Sequence, residues 1–305
     1  MPFYKVRDQD VHLFYCLNSD PSDFATAKEP SNLPSRPFKP DLPTLVLLHS
    51  SAGSVLNWSR QFKDPRLTSK TNLFAVDCVT SGWATVTPAV KKLSFEDSAD
   101  FEEMDFPNYH LLGEAVHGCN IASWIAVKSP ERVKSLTLAS PGYREEEPQV
   151  RAALEGIQEV LLINKKGRGG DDSGTVPEEP LAEICAYFVG GLPRLAEERE
   201  RMGVFFQGRY GTGHEISESL RSFSLVTDRV KIPDEKLASL QFPVLILRGG
   251  EDNIVSPEKA CEEWKSAFTN APVCFQTIAS APSLLSLSDA NVVNRIVSTF
   301  CLRSQ

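Results

Sequence analysis

At 305 residues, with 41% hydrophobic and 24% charged residues, the chain has the make-up of a soluble globular protein with room for one large α/β domain and an insertion. Its net charge of −8 argues against nucleic acid as a partner, because a phosphate backbone calls for a basic face. No apolar run approaches the roughly 18 residues needed to span a bilayer, and residues 1–8 lack the apolar stretch of a signal peptide, so a cytoplasmic location is expected.

Residues 3–16 read as a hairpin, with Val6 and the alternating Val11, Leu13 and Tyr15 on either side of a polar turn. Prolines 21, 30, 34, 37, 40 and 43 mark 18–43 as an extended connection. Residues 44–49 form a continuous apolar run that stops in a Ser/Gly turn, the pattern of a parallel strand buried on both faces. Similar runs follow at 73–77, 109–112, 133–139, 243–248 and 273–278, with helical stretches at 120–127 and 257–268 between them. Alternating strands and helices imply an α/β fold, a mostly parallel sheet covered by helices on both faces.

The block 141–240 breaks the alternation. It holds an acidic run at 144–147 and helical stretches at 150–163, 181–189 and 194–206. It reads as an inserted helical cap, dividing the chain into core (1–140), cap (141–240) and core (241–305). The polar segment 165–174 reads as a surface tip. Phosphate binding there is disfavoured, since Gly167 and Gly169 do not follow a strand and open a helix. No internal repeat is seen. The cysteines at 16, 78, 119, 185, 261, 274 and 301 are dispersed without a C-x-x-C pair and read as buried free thiols. No metal or cofactor is expected.

The segment Tyr109-His110-Leu111-Leu112-Gly113-Glu114-Ala115-Val116-His117-Gly118 reads as strand, tight turn and helix start. It resembles the nucleophile elbow G-x-S-x-G of the α/β-hydrolase superfamily, with Ala115 in place of the serine and His117 in place of the second glycine. Four further stretches share the resemblance, which spans nearly the whole chain. Leu47 to Ser54 is similar to the H-G-x-x-G-S loop. Phe74 to Asp77 with Ser81-Gly82 is similar to the D-x-R-G-x-G-x-S loop. Ser129 to Leu138 is similar to a "YPERVKSLVL" stretch, and Phe242 to Asp252 to the segment carrying the triad acid. The resemblance implies an α/β-hydrolase fold with an inserted helical cap, of the capped lipase and esterase kind.

It also implies a set of site positions. The triad positions would be Ala115, Asp252 and Ser283, so the acid is kept while the nucleophile and the histidine base are replaced. No histidine follows His214, so no shift of register restores the base. The oxyanion-like donors would be the backbone amides of Ser51 and Val116. Ser50 and His117 stand where the family has glycine, and a β-carbon there either crowds the turn or leaves it working.

Other titratable groups carry two readings each. Glu114 and His117 form an acid–base pair facing the pocket, or take separate structural places. Asp252 contacts Ser283, binds water, or acts directly as a base. Cys119 is a displaced nucleophile or, more commonly for such a position, a buried helix thiol. His49 and His110 read as structural, and His214 as part of a cap loop. The stretch between Phe95 and Tyr109 allows about two helical turns at most, which would bare one sheet face for self-association or for a rearranged neighbour.

Three functions remain open. One is non-hydrolytic chemistry (lyase, isomerase or cyclase) on a small apolar molecule. The second is non-catalytic binding of such a molecule. The third is hydrolysis with relocated acid and base groups.

Overall fold

The computed structural model describes residues 3–5, 11–24, 37–51, 53–86, 94–99, 106–149, 223–253 and 255–304, with isolated positions between 151 and 221. The N-terminal hairpin joins β1 (Phe3–Lys5) to β2 (Val11–Leu17) in antiparallel pairing. The apolar runs become β3 (Thr44–Leu48), β4 (Asn72–Val76), β6 (Tyr109–Glu114), β7 (Val133–Ala139), β8 (Val244–Gly249) and β9 (Val273–Ile278), and the two-residue β5 (Thr85–Val86) pairs with β2. The sheet order is β1-β2-β4-β3-β6-β7-β8-β9. All neighbours from β4 to β9 are parallel, and β2 is antiparallel to β4.

Period-two alternation sends successive side chains to opposite faces, and β3, with both faces covered, is buried at every position. Leu45 and Leu47 of β3 pack on one face of the sheet, and Val46 and Leu48 on the other. The first face is covered by α1 (Ser59–Phe62), α2 (Pro65–Thr68) and the C-terminal helix α7 (Ala290–Arg303). Val293, Val297 and Cys301 recur every four residues on α7 and meet Trp58, Phe62 and Leu67 there. The opposite face is covered by α3 (Ala115–Lys128), the short α4 (Asp234–Ala238) and α5 (Glu258–Ala267), through Ile121, Ile125, Leu237 and Trp264. Each leucine buried this way contributes roughly 2 kcal/mol. A four-residue helix, α6 (Leu285–Ser288), precedes α7.

Three expectations change. The helix placed at 120–127 begins at Ala115, directly at the turn. Residues 100–105 of the stretch before β6 lie outside the described residues, but β6 itself is not bare, because Tyr109–Glu114 are buried throughout. Phe106, just before β6, packs its ring 5.2 Å from Phe74 of β4 and 5.8 Å from Phe38. Cys274 is exposed, whereas the other six cysteines are buried as expected. No helix among the described residues is long and apolar enough to cross a membrane.

Most of the block 141–240, including 165–174 and His214, lies outside the described residues. Its two connections to the core are described, and they are strapped together. Arg229 forms a buried ion pair with Glu146 and donates to the Tyr143 carbonyl at 2.6 Å. Arg144 donates to the Ile232 carbonyl and pairs with Asp234, each at 2.6 Å. Trp264 Nε1 donates to the Gly142 carbonyl at 2.7 Å.

Candidate functional site

The candidate residues lie on the segments that follow β3, β6, β8 and β9, at the carboxyl ends of the parallel strands. This is the end at which open α/β sheets bind ligands. The turn after β6 is sharp. Glu114 is extended (φ −119°, ψ 137°), Ala115 has φ 55°, and the helix follows at once. A non-glycine residue held in this left-handed region costs roughly 1–2 kcal/mol. Two glycines make the turn sterically feasible. A Cβ on Gly113 would lie 2.2 Å from the Gly118 carbonyl oxygen, and a Cβ on Gly118 would lie 2.1 Å from the Leu48 carbonyl oxygen. The close crossing of helix on strand is therefore met at Gly118, one residue beyond the substituted His117.

His117 is fully buried. Its ring stacks at 6.3 Å on His49 and meets Phe95 edge-on at 4.9 Å, and neither ring nitrogen has a hydrogen-bond partner among the described residues. Burial, with the neighbouring His49 second, lowers its pKa to about 3, so the ring is neutral across the working pH range. His49 is fixed as one tautomer. Its Nδ1–H donates to the Ser50 carbonyl at 2.7 Å, while its Nε2 accepts from the Cys78 N–H at 2.9 Å. Burial lowers the His49 pKa to about 4. His110 is held by Ser135 Oγ at 2.8 Å.

Glu114 is also fully buried, and it turns to the far side of the elbow. Its Oε1 accepts from the Ser286 N–H at 2.7 Å and its Oε2 from the Ser286 hydroxyl at 2.6 Å. Burial raises its pKa to about 7, opposed by these two bonds. No hydrogen bond joins Glu114 to His117. The expected acid–base pair is thus divided between two structural contacts.

Asp252 is 4% exposed. Its Oδ1 accepts from the Val255 N–H at 2.9 Å. Arg248 holds the loop by donating to the carbonyls of Ser256 (3.1 Å) and Asp252 (3.2 Å) and to Asn253 Oδ1 (3.1 Å). Ser283 is buried, and no hydrogen bond links it to Asp252 among the described residues. Among the described residues no backbone acceptor is recorded for the Ser51 and Val116 amides. Their neighbour Ser50 is fully buried; its carbonyl accepts from the Gly53 N–H at 3.1 Å and its hydroxyl from Asn57 Nδ2 at 3.4 Å.

Cys119 lies beneath the turn, its thiol directed to the carbonyls of Gly113 (3.3 Å) and Ala139 (3.5 Å). Burial pushes its pKa well above the ordinary thiol value, which leaves no thiolate for attack. Ala115 and Val116 belong to a continuous apolar cluster with Val79, Val255, Leu284, Leu154 and Leu195. The turn thus offers no hydroxyl or thiolate at its apex. Among the described residues no group of three or more His, Cys, Asp or Glu side chains could hold a metal ion.

Sequence reasoning missed Ser286 as the partner of Glu114, the clamp of Arg248 on the acid loop and the contact of Phe95 with His117. The first and last join residues far apart in the chain and leave no local pattern. Arg248 sits in the expected strand, four residues before Asp252, but nothing in its spacing marks its role.

No protein-family model matches the chain. Over 270 residues it is 24% identical to the dihydrolipoyllysine-residue acetyltransferase component of an acetoin cleaving system from Cupriavidus necator, an alignment covering 83% of this chain and 62% of that protein. Solved structures are similar over nearly the full length. A hydrolase from Pseudomonas aeruginosa superposes with a TM-score of 0.71 at 19% identity, covering 98% of this chain and 97% of the other. An alpha/beta hydrolase enzyme from a Medee basin deep-sea metagenome library gives 0.71 at 13% identity, covering 98% and 96%.

Proposed function

We propose that this chain, which has the α/β-hydrolase fold, holds a small apolar molecule above the β6–α3 turn and acts on it by non-hydrolytic chemistry of the lyase, isomerase or cyclase kind. The block 141–240 serves as the cap over it. The observation that carries the reading is Ala115 at φ 55° on the apex of the turn. The backbone keeps the strained geometry that presents a side chain there, yet a methyl group cannot attack a carbonyl. Ser283, in place of a histidine, cannot take a proton from a nucleophile near neutral pH.

The remaining groups fit this reading. Ala115 and Val116 are apolar members of the core cluster, which favours an apolar guest. The amides of Ser51 and Val116 can orient one polar atom of it, and Asp252 is the acidic group left for a proton transfer. A hydrolase with relocated machinery is disfavoured, because His117 is buried and neutral and Glu114 is engaged by Ser286. That engagement favours a second reading, binding without turnover, over catalysis through Glu114.

The test is mass spectrometry of small molecules released on denaturing the purified protein, followed by incubation of the released molecule with fresh protein. An apolar compound converted to an isomer or elimination product supports the first reading. The same compound recovered unchanged supports the second. Turnover of simple aryl esters by the native chain would overturn both.

A further inference from the structure

We infer a second binding site, apart from the β6–α3 turn, that takes a small amphipathic monoanion such as a medium-chain carboxylate. A cleft of about 500 Å³ lies between α3, the segment 94–96 and the cap exit 221–236. None of Ala115, Val116, Ser51, Asp252 or Ser283 lines it. The volume is in the range of small-molecule sites. Its walls include Phe95, Trp124, Leu225 and Pro233, which give an alkyl or aryl body an apolar side to meet.

Its charge sets the class of ligand. Four cations, Arg221, Arg229, Lys231 and Lys236, line it against two carboxylates, Glu96 and Asp228, on a chain whose net charge is −8. Several of these are already compensated. Arg229 pairs with the buried Glu146, Lys231 with Asp234 at 3.7 Å, and Asp228 with Arg151 at 3.5 Å. Lys236 has no carboxylate partner among the described residues. Its ammonium sits 5.0 Å from the centroid of the Trp124 ring. A cation held on an indole face at the edge of an apolar cleft can meet an anionic head while the aromatic wall meets the tail. Glu96 is the lining carboxylate without an ion-pair partner among the described residues, and it disfavours a dianion.

Calorimetric titration of the full chain with decanoate, decan-1-ol and decylammonium tests this. Decanoate binds about tenfold more tightly than the alcohol, the ammonium binds most weakly, and the preference shrinks with added salt. Lys236→Glu weakens decanoate binding by about tenfold, Lys231→Glu weakens it less, and Lys259→Glu, outside the cleft, leaves it unchanged. Both cleft lysines are on the surface, so the fold is expected to survive, as a matching melting curve would verify. Equal affinity for decanoate and decan-1-ol, or native-like decanoate binding by a folded Lys236→Glu variant, would overturn the inference.

Discussion

Replacing Glu114 by glutamine should abolish the pH dependence that this buried carboxyl imposes on stability. The native carboxyl titrates near pH 7, against 4.5 for the ordinary group, because burial disfavours its charge. A folded-state pKa raised in this way gives a contribution that is complete below pH 4.5 and is lost as pH rises through 7. At about 1.4 kcal/mol per pKa unit, the loss between pH 4.5 and 8 approaches about 3 kcal/mol. Glutamine cannot ionise, so Glu114→Gln removes this slope. It also removes one acceptor oxygen, so either the Ser286 N–H or its hydroxyl loses its partner. That penalty is roughly 1–3 kcal/mol and independent of pH. The variant should therefore be less stable than the native chain at pH 5 and equal or more stable at pH 8. The lowered pKa values of His49, His110 and His117 make both proteins lose stability as pH falls below 6.5, a limb that cancels in the difference. Urea unfolding at pH 5, 6, 7 and 8 measures the gap. Parallel curves for the two proteins would refute the burial of an ionisable Glu114.

Other substitutions probe the same frame. His117→Phe keeps a ring against His49 and Phe95 while removing two unpartnered nitrogens, so urea stability should hold or rise by about 1 kcal/mol; a loss above about 2 kcal/mol would show that the imidazole makes a needed polar contact. Gly118→Ala drives a Cβ to within 2.1 Å of the Leu48 carbonyl and should cost roughly 3 kcal/mol or more in the same assay. Arg229→Met leaves Glu146 buried without its partner and should cost about 3–5 kcal/mol, most of it recovered in the double variant with Glu146→Leu. Failure of the double variant to recover would mean that the loss comes from the bonds to the Tyr143 and Val226 carbonyls.

The fold was legible where burial is set by the local pattern. The run 44–48 is almost wholly apolar because both faces of β3 are covered, and the same logic located β4, β6, β7 and β8, while β9 (Val273–Ile278) is half exposed at the sheet edge. The site was legible only at its backbone. Gly113 and the residues after it announce a tight turn, and Ala115 does occupy its left-handed apex. Where the side chains point was not legible. Glu114 and His117 are three residues apart, a spacing that brings side chains together along a helix. Glu114 is the last residue of a strand, however, so its side chain leaves on the other side toward Ser286. The exposure of Cys274 follows from β9 being the edge of the sheet, which the order of strands along the chain does not reveal.

The most direct measurement is labelling by a fluorophosphonate probe, read by mass spectrometry, on the native chain and on the Ala115→Ser/Ser283→His variant. The account predicts no adduct on the native chain and an adduct at position 115 in the variant, where the left-handed turn would present the new hydroxyl. A probe adduct on any serine or cysteine of the native chain that is abolished by changing Asp252 would contradict it.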